Sequence, residues 1–510
     1  MPQLTQTPRN GKKLATQQSV DSAIYAICDI MRRSNCAGAM QYVPELTWIL
    51  FLRILDEREH REAEEATAVG ASFTPSLRKP YRWQDWAAPD GETRKRLADG
   101  AMGAFRAFVN DDLLPHLQKL RDKPNATPRQ KVIGEIMATI ERVHIDTERN
   151  LLDVLDKVHD ISAETVDPTH VFTVSQVYEG LLLKMGEKGN DGGQFLTPRQ
   201  MIKAVIRVLD PKLGETMYDP CAGTCGFLIE GYEHMRKRLG SKITAEQIEI
   251  LKRRTFYGRE KENTIFPVAL ANMILHGIDE PHLWHGNTLT GGETYGGLFL
   301  DTPGLYDVIG TNPPFGGKEG PEAQTHFTYK TSATSVLFLQ HIIASLKKGG
   351  RCGMVIDEGV LFRTNETAYV QTKRKLLDDC DLWCIVSLPG GVFSAAGAGV
   401  KTNLLFFTKG KPTEKVWYYD LSDIKVGKKK PFMLEHFEDF FKLLPTRADS
   451  PRSWTVTRKQ IEEKGFDLKA VNPNAKDTTD KRTPTELLDV IETKGREVAA
   501  SLAALRKSVL

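Results

Sequence analysis

Tyr306-Asp307-Val308-Ile309-Gly310-Thr311-Asn312-Pro313-Pro314-Phe315 decides how the rest of the chain reads. Tyr306 to Gly310 is a short apolar run that reads as a buried strand, and the two prolines end it abruptly. The residues at its end carry chemistry as well as a stop signal. The Asn312 side-chain oxygen can accept a hydrogen bond from an amine, and the Pro313 carbonyl can accept a second. Consecutive prolines fix the backbone, so both acceptors are set before a ligand arrives. Phe315 offers a flat face to a planar ring. Together these groups suit the exocyclic amine of a base turned out of its stack. Taken alone, the tetrapeptide is also an ordinary Pro-Pro turn, so its surroundings must decide.

Around this strand the chain alternates. Strands are predicted at Met217 to Asp219, Thr255 to Gly258, just before Gly286, at Cys352 to Ile356 and at Leu382 to Leu388. Helices are predicted between them, over Phe227 to Leu239, Ala245 to Arg254, Asn263 to His276, Ser335 to Lys347 and Glu366 to Asp379. Such alternation argues for a mostly parallel sheet with helices on both faces. A hairpin-like pair around Gly390-Gly391-Val392-Phe393 and Thr402 to Phe407 would add one antiparallel strand. Thr197-Pro198-Arg199-Gln200 has the form of a capping box with proline at the first helical position. The helix it opens would bury Ile202, Val205, Ile206 and Leu209. Four glycines between Gly186 and Gly193 mark a flexible loop just before it.

The flanks differ. Helical periodicity runs from about Ser19 to Arg61, with Trp48, Phe51, Leu52 and Leu55 on one face and a helix start at Pro44-Glu45. It resumes from about Thr93 to Val158, where Val132, Ile133, Ile136, Ile140 and Val143 keep helical spacing. The C-terminal region is polar and Lys-rich. It ends in a capping box, Thr483-Pro484-Thr485-Glu486, which opens a helix striped with Leu487, Ile491, Val498, Leu502, Leu505 and Val509. That stripe would pack either on its own domain or on helices of a partner. The expected division is a helical N-terminal domain at 1–165, an α/β domain at 166–425, and a C-terminal extension at 426–510.

Composition narrows the class. The 510 residues are 40% hydrophobic and 26% charged, with a formal net charge of +3, as in a soluble globular protein. That charge is too small for a chain that coats DNA unaided. No apolar run reaches membrane-spanning length and the N-terminus carries no signal-peptide core, so a cytoplasmic location is expected. Seven cysteines argue against a disulfide framework. Cys221/Cys225 and Cys380/Cys384 lack zinc-knuckle spacing, and no metal site is expected.

A second ligand loop is Asp219-Pro220-Cys221-Ala222-Gly223-Thr224-Cys225-Gly226-Phe227, which follows a strand and opens a helix. Its small residues let a ligand approach the backbone. Its G-x-x-G spacing is not the dinucleotide fingerprint, and it lacks the G-K-[ST] ending of a phosphate loop. With Asp219 at its entrance, it suits a neutral or cationic ligand. Glu260, at the end of the next strand, is placed to accept both hydroxyls of a ribose. Asn287, after the third strand, could bond the edge of an adenine.

The order Gln194-Phe195-Leu196-Thr197-Pro198, Asp219 to Phe227, Glu260, Asn287 and Asn312 to Phe315 resembles the DNA amino-methyltransferases that use S-adenosylmethionine. With a helical N-terminal domain and no separate target-recognition domain, the chain resembles the modification subunit of type I restriction–modification systems over roughly residues 20 to 420. The resemblance implies a Rossmann-like α/β methyltransferase domain with a mostly parallel seven-stranded sheet. It implies cofactor contacts at Gln194, Phe195, Leu196, Thr197, Pro198 and Arg199, at Asp219, Gly223, Thr224, Cys225 and Gly226, and at Glu260 and Asn287. It implies catalysis by Asn312, Pro313, Pro314 and Phe315: methyl transfer from S-adenosyl-L-methionine to the exocyclic amine of adenine in double-stranded DNA. The implied partners are a specificity subunit that reads the DNA, a second modification subunit, and a restriction subunit. A stand-alone adenine or cytosine amino-methyltransferase, an RNA or protein target, and a non-catalytic scaffold are the alternatives. The basic clusters Arg236-Lys237-Arg238, Lys252-Arg253-Arg254, Lys373-Arg374-Lys375 and Lys428-Lys429-Lys430 could touch phosphates, although solvated helix charges are the ordinary reading.

Overall fold

The computed structural model describes residues 17–34, 39–160, 197–240, 243–290, 296–297, 302–393, 400–427, 430–474 and 482–509. The expected helix at 174–185, the glycine loop at 186–193 and Gln194, Phe195 and Leu196 lie outside these residues.

The N-terminal region is helical. Its long helices are Gln17–Arg32 and Ala39–Ala68. Pro44 lies inside the second helix rather than at its start. There it removes one backbone donor, and burial of Trp48, Phe51, Leu52 and Leu55 holds the helix together regardless. The expected run from Thr93 to Val158 is broken into short pieces, including a π-helical turn Val109–Leu113 and a 3-10 turn Lys119–Asp122. Gly103, at φ +85°, starts one piece, and the helix Pro128–Met137 starts from a Thr127 capping box. Ile140 and Val143 lie beyond that helix yet are buried, so their spacing reported burial rather than helix. Trp48 stacks on Trp86 with centroids 6.3 Å apart at the centre of this core.

Among the described residues, the α/β region is built on ten strands: β1 Met217–Asp219, β2 Phe256–Glu260, β3 His282–His285, β4 Gly296–Gly297, β5 Tyr306–Thr311, β6 Leu346–Asp357, β7 Cys380–Ser387, β8 Thr402–Lys409, β9 Lys415–Asp420 and β10 Ser453–Thr457. They lie in the order β10-β9-β7-β8-β6-β5-β1-β2-β3-β4. The sheet is therefore mixed and has more than the seven mostly parallel strands expected. The β6-β5-β1-β2-β3 centre is parallel. Beyond it, β8 runs antiparallel to both β6 and β7, β9 is parallel to β7, and β10 is antiparallel to β9. Gly390 to Phe393 forms a turn between β7 and β8 rather than a strand. The periodicity reading does not place β9 and β10. β9 is the aromatic run Val416 to Tyr419, whose four side chains are all buried, and it carries the sheet to within a few residues of the 425 boundary. β10 then lies beyond it.

Both faces of the sheet are covered. Helices Arg199–Leu209, Gly226–Leu239 and Phe266–Leu275 share one core with the helical region, and Thr334–Ser345 and Thr367–Asp379 contribute to a second core on the other face. Helix Phe266–Leu275 packs on Ala39–Ala68 and Pro128–Met137. Asp279, just after it, receives Arg58 at 2.8 Å, Lys252 at 3.1 Å and Arg129 at 3.3 Å. Burial pushes this carboxyl up, but Arg58, Lys252 and Arg129 outweigh it and hold it below the usual range. Several members of the basic clusters are likewise in ion pairs, such as Arg238 with Asp210 and Lys375 with Asp379. Lys373 is fully buried and donates to the Leu361 and Arg363 carbonyls.

Candidate active site

The chain runs outward from β1 to β2 and β3, then crosses back to β5 on the other side of β1. Open α/β sheets bind ligands at this kind of reversal, beyond the carboxyl ends of the strands. A cavity of about 180 Å³ lies there. Its lining includes Cys221 and Gly223 after β1, Glu260 in β2, Asn287 after β3, and Asn312, Pro314 and Phe315 after β5. Loops far apart in sequence thus meet because their strands are neighbours.

The loop after β1 is tightly wound. Gly223 has φ +52° and Cys225 φ +65°, so the backbone turns left-handed just before helix Gly226–Leu239 begins. A Cβ on Gly226 would stand 2.7 Å from Ile202 Cδ1, so helix Arg199–Leu209 is pressed against this loop. Asp219 is buried beneath it, accepting from Thr311 Oγ1 at 2.6 Å and from the Cys221 N–H at 3.2 Å. Burial raises its pKa to about 7 against those two hydrogen bonds. Thr224 is also buried, and its carbonyl accepts from Asn272 Nδ2 at 2.8 Å. Burial pushes the Cys221 and Cys225 thiols well up, which keeps both neutral.

Glu260 is pinned at both oxygens. Oε2 accepts from the Gly223 N–H at 2.7 Å and Oε1 from the Glu262 N–H at 2.8 Å. Each oxygen retains acceptor capacity for a ligand hydroxyl. Burial raises this carboxyl to about 7, against the pull of the same backbone donors. Asn287 is engaged by protein: Oδ1 accepts from the Leu289 N–H at 2.9 Å and Nδ2 donates to Glu319 at 3.3 Å.

Asn312 Nδ2 donates to Thr197 Oγ1 at 2.9 Å, across 115 positions of sequence. Asn312 Oδ1 is buried and has no partner among the described residues. Pro313 is buried and is not part of the lining. Phe315 is half-buried and meets Phe393 edge-on, with centroids 5.3 Å apart. The capping box expected at Thr197 does not form. The N-cap is Pro198, with no side-chain cap, and the Thr197 hydroxyl instead accepts from Asn312. Pro198 and Arg199 lead into the helix behind the cavity, and Arg199 lies 3.9 Å from Glu230.

Sequence reasoning missed Thr311, Glu319 and Phe393. Thr311 directly precedes Asn312 and ties β5 to Asp219. Glu319 lines the cavity and accepts from Asn287 and Thr334. The only local signals for these residues were the glycine pairs Gly316-Gly317 and Gly390-Gly391 beside two of them.

A family model described as N-6 DNA Methylase matches residues 170–482, and one described as HsdM N-terminal domain matches residues 20–158. This chain belongs to the N-6 DNA methylase family. The methylase is 33% identical over 508 residues to the type I restriction enzyme EcoEI methylase subunit of Escherichia coli, covering 96% of this chain and 97% of that one. It is 32% identical to the EcoKI methylase subunit of Escherichia coli strain K12, covering 86% and 79%. A modification subunit of a putative type I restriction enzyme from Vibrio vulnificus YJ016 superposes with a TM-score of 0.77 at 30% identity, over 92% of this chain and 99% of that one. A chain from a study of complex assembly and conformational transition of the type I R-M system gives 0.72 at 36%, over 97% and 99%. The methylase is thus an adenine-specific DNA methyltransferase of the type I kind, with a methyltransferase-like sheet behind a helical N-terminal region.

Proposed function

We propose that the cavity at the ends of β1, β2, β3 and β5 holds S-adenosyl-L-methionine beside a flipped adenine of double-stranded DNA. The observation that carries this reading is the buried Oδ1 of Asn312, without a partner among the described residues, at the cavity wall beside Phe315. A buried acceptor without a donor costs about 1–3 kcal/mol, which an incoming amine would offset. The cofactor fits the groups present. Glu260, held by two backbone donors, would take ribose hydroxyls, and the left-handed turn at Gly223 admits close approach to the backbone. Gln194 to Arg199, Asp219, Thr224 to Gly226 and Asn287 complete the proposed cofactor side. When bound, the cofactor supplies an electrophilic methyl group on a cationic sulfur.

Asn312 Oδ1 and the Pro313 carbonyl would accept the two hydrogens of the adenine amine. That would draw the nitrogen out of conjugation and raise its lone-pair character. Pro313 and Pro314 would keep these acceptors preorganised, so catalysis rests on positioning and electrostatics. Phe315 would stack on the base, worth about 1–3 kcal/mol, and so offset part of the cost of flipping.

The type I relatives suggest the division of labour. A separate specificity subunit would read the DNA sequence, a second copy of this chain would join it, and a restriction subunit would bind the full complex. We propose that the helical N-terminal region, residues 1–165, contacts DNA or partners and that the C-terminal helix docks on the specificity subunit. Action on DNA in the cytoplasm is consistent with this, and no described helix is long and apolar enough to cross a membrane.

The test is Asn312→Ala in the assembled enzyme. Cofactor binding should persist while N6-methyladenine, measured by nucleoside mass spectrometry, disappears. Undiminished methylation would remove Asn312 from the mechanism.

A further inference from the structure

Thr197 stands where a helix-capping threonine would stand, yet it caps nothing. Helix Arg199–Leu209 starts from Pro198 without a side-chain cap, and Thr197 Oγ1 instead accepts from Asn312 Nδ2 at 2.9 Å. From this juxtaposition we propose that Thr197 is a positioning residue for methyl transfer: it holds the Asn312 amide by its nitrogen so that Oδ1 is left to receive the adenine amine. The inference rests on the proposed role of Asn312 and gives Thr197, whose hydroxyl can still donate toward the proposed cofactor side, a second task on the base side of the site.

The latch is stiff on both sides. Thr197 precedes a proline, which confines its backbone to extended conformations, and its branched Cβ restricts χ1. The helix that follows is anchored by Met201, Ile202, Val205, Ile206 and Leu209, all buried, and Ile202 is wedged against Gly226. Asn312 also precedes a proline. The residue before it, Thr311, donates to the buried Asp219 at 2.6 Å and lies 3.0 Å from Cys221 Sγ. Thr311 therefore fixes the backbone of Asn312 from the β1 side, and Thr197 fixes its side chain from the other. The χ2 torsion of asparagine is otherwise broad, and a rotated amide would present N–H groups to an amine that can only donate them. Donation from Nδ2 to Thr197 also polarises the amide and strengthens Oδ1 as an acceptor.

The experiment compares Thr197→Val, Thr197→Ser and Asn312→Ala in the full-length chain assembled with its specificity subunit. Cofactor affinity is measured by calorimetry, and kcat and KM by methyl incorporation into a duplex carrying the target site. Valine preserves shape and branching but removes the acceptor. Misplacement of this order predicts that kcat, read at saturating cofactor and DNA, falls about 10- to 100-fold, beyond whatever loss of affinity the proposed cofactor contact brings. Serine, which keeps the hydroxyl, should restore most of the turnover, which a purely structural defect would not allow. Wild-type kcat in Thr197→Val alongside inactive Asn312→Ala overturns the inference. So does a loss confined to cofactor affinity with kcat unchanged, which would leave Thr197 a cofactor contact only, or a failure of serine to recover activity. Undiminished turnover in Asn312→Ala overturns the underlying reading instead.

Discussion

Glu260 should report cofactor binding through its proton. Burial raises its carboxyl to about 7, and Asp219 beneath the same loop is raised to about 7 by the same cause. For groups raised in this way, their contribution to folding is complete below the unfolded pKa near 4 and is lost as pH rises through 7. The ligand-free chain should therefore lose, not gain, stability from these two groups between pH 5 and 8. Hydroxyl donors to Glu260 would favour its ionised form, so binding below pH 7 must expel a proton. Cofactor affinity should fall with acidification below about pH 7, by up to roughly tenfold per pH unit, and Glu260→Gln should flatten the profile. Calorimetry in buffers of different ionisation enthalpy checks the proton count; zero release at pH 6 would show that Glu260 is already ionised or remote from the ligand. At this scale the residue types were legible and their partners were not. Asn312, Glu260 and Gly223 stand out in the chain, whereas the Thr197–Asn312 bond joins residues 115 positions apart, and local spacing reads Thr197 as a helix cap.

Among the elements, β2 shows how tightly the ligand loop is tied to the sheet. Gly258 is tightly packed: a Cβ there would stand 2.9 Å from Leu283 Cδ1, which would have to shift, and 3.2 Å from Ala222 Cβ. Ala222 belongs to the loop after β1, and its N–H donates to the Arg259 carbonyl at 2.8 Å. Gly258→Ala should cost about 1–3 kcal/mol by overpacking and should weaken cofactor binding as the loop shifts. Urea denaturation checks the first expectation through a lower midpoint at unchanged slope. Unaltered stability and affinity together would mean that the loop yields without consequence. The central strands were readable because each is a short apolar run bounded by turn residues. The outer ones were not: at the far edge of the sheet β9 pairs with β7 and β10 with β9, and no local pattern chooses those partners.

Over the whole molecule, the helix Pro484–Val509 is the feature left facing solvent. Every residue from Arg482 to Arg506 is exposed, including Leu488 at 62%, Ile491 at 66%, Val498 at 59%, Leu502 at 53% and Leu505 at 60%. These apolar positions advance in steps of three, seven, four and three residues, a heptad-like spacing that suits a helical partner. A chain ending at Asn474 should keep its thermal midpoint and its cofactor affinity but fail to co-purify with the specificity subunit. Retained association would move the docking surface elsewhere. The helical region, by contrast, is tied to the catalytic region through charge: Arg58 and Arg129 reach across to Asp279, beside Lys252.

By itself, the sequence carried the residue types and their order: an Asn-Pro-Pro-Phe after one strand, a small-residue loop after another, an acid at the end of a third, and helices before and after. Those are local facts, written in residue type, turn residues and apolar runs. Only the tertiary structure decided that the sheet is mixed, with ten strands among the described residues, that β1 separates β2 from β5, and that Thr197 accepts from Asn312 rather than capping its own helix. The reason is physical. Strand neighbours and buried polar partners are chosen by packing across long sequence distances, where each donor takes the acceptor that burial leaves within reach.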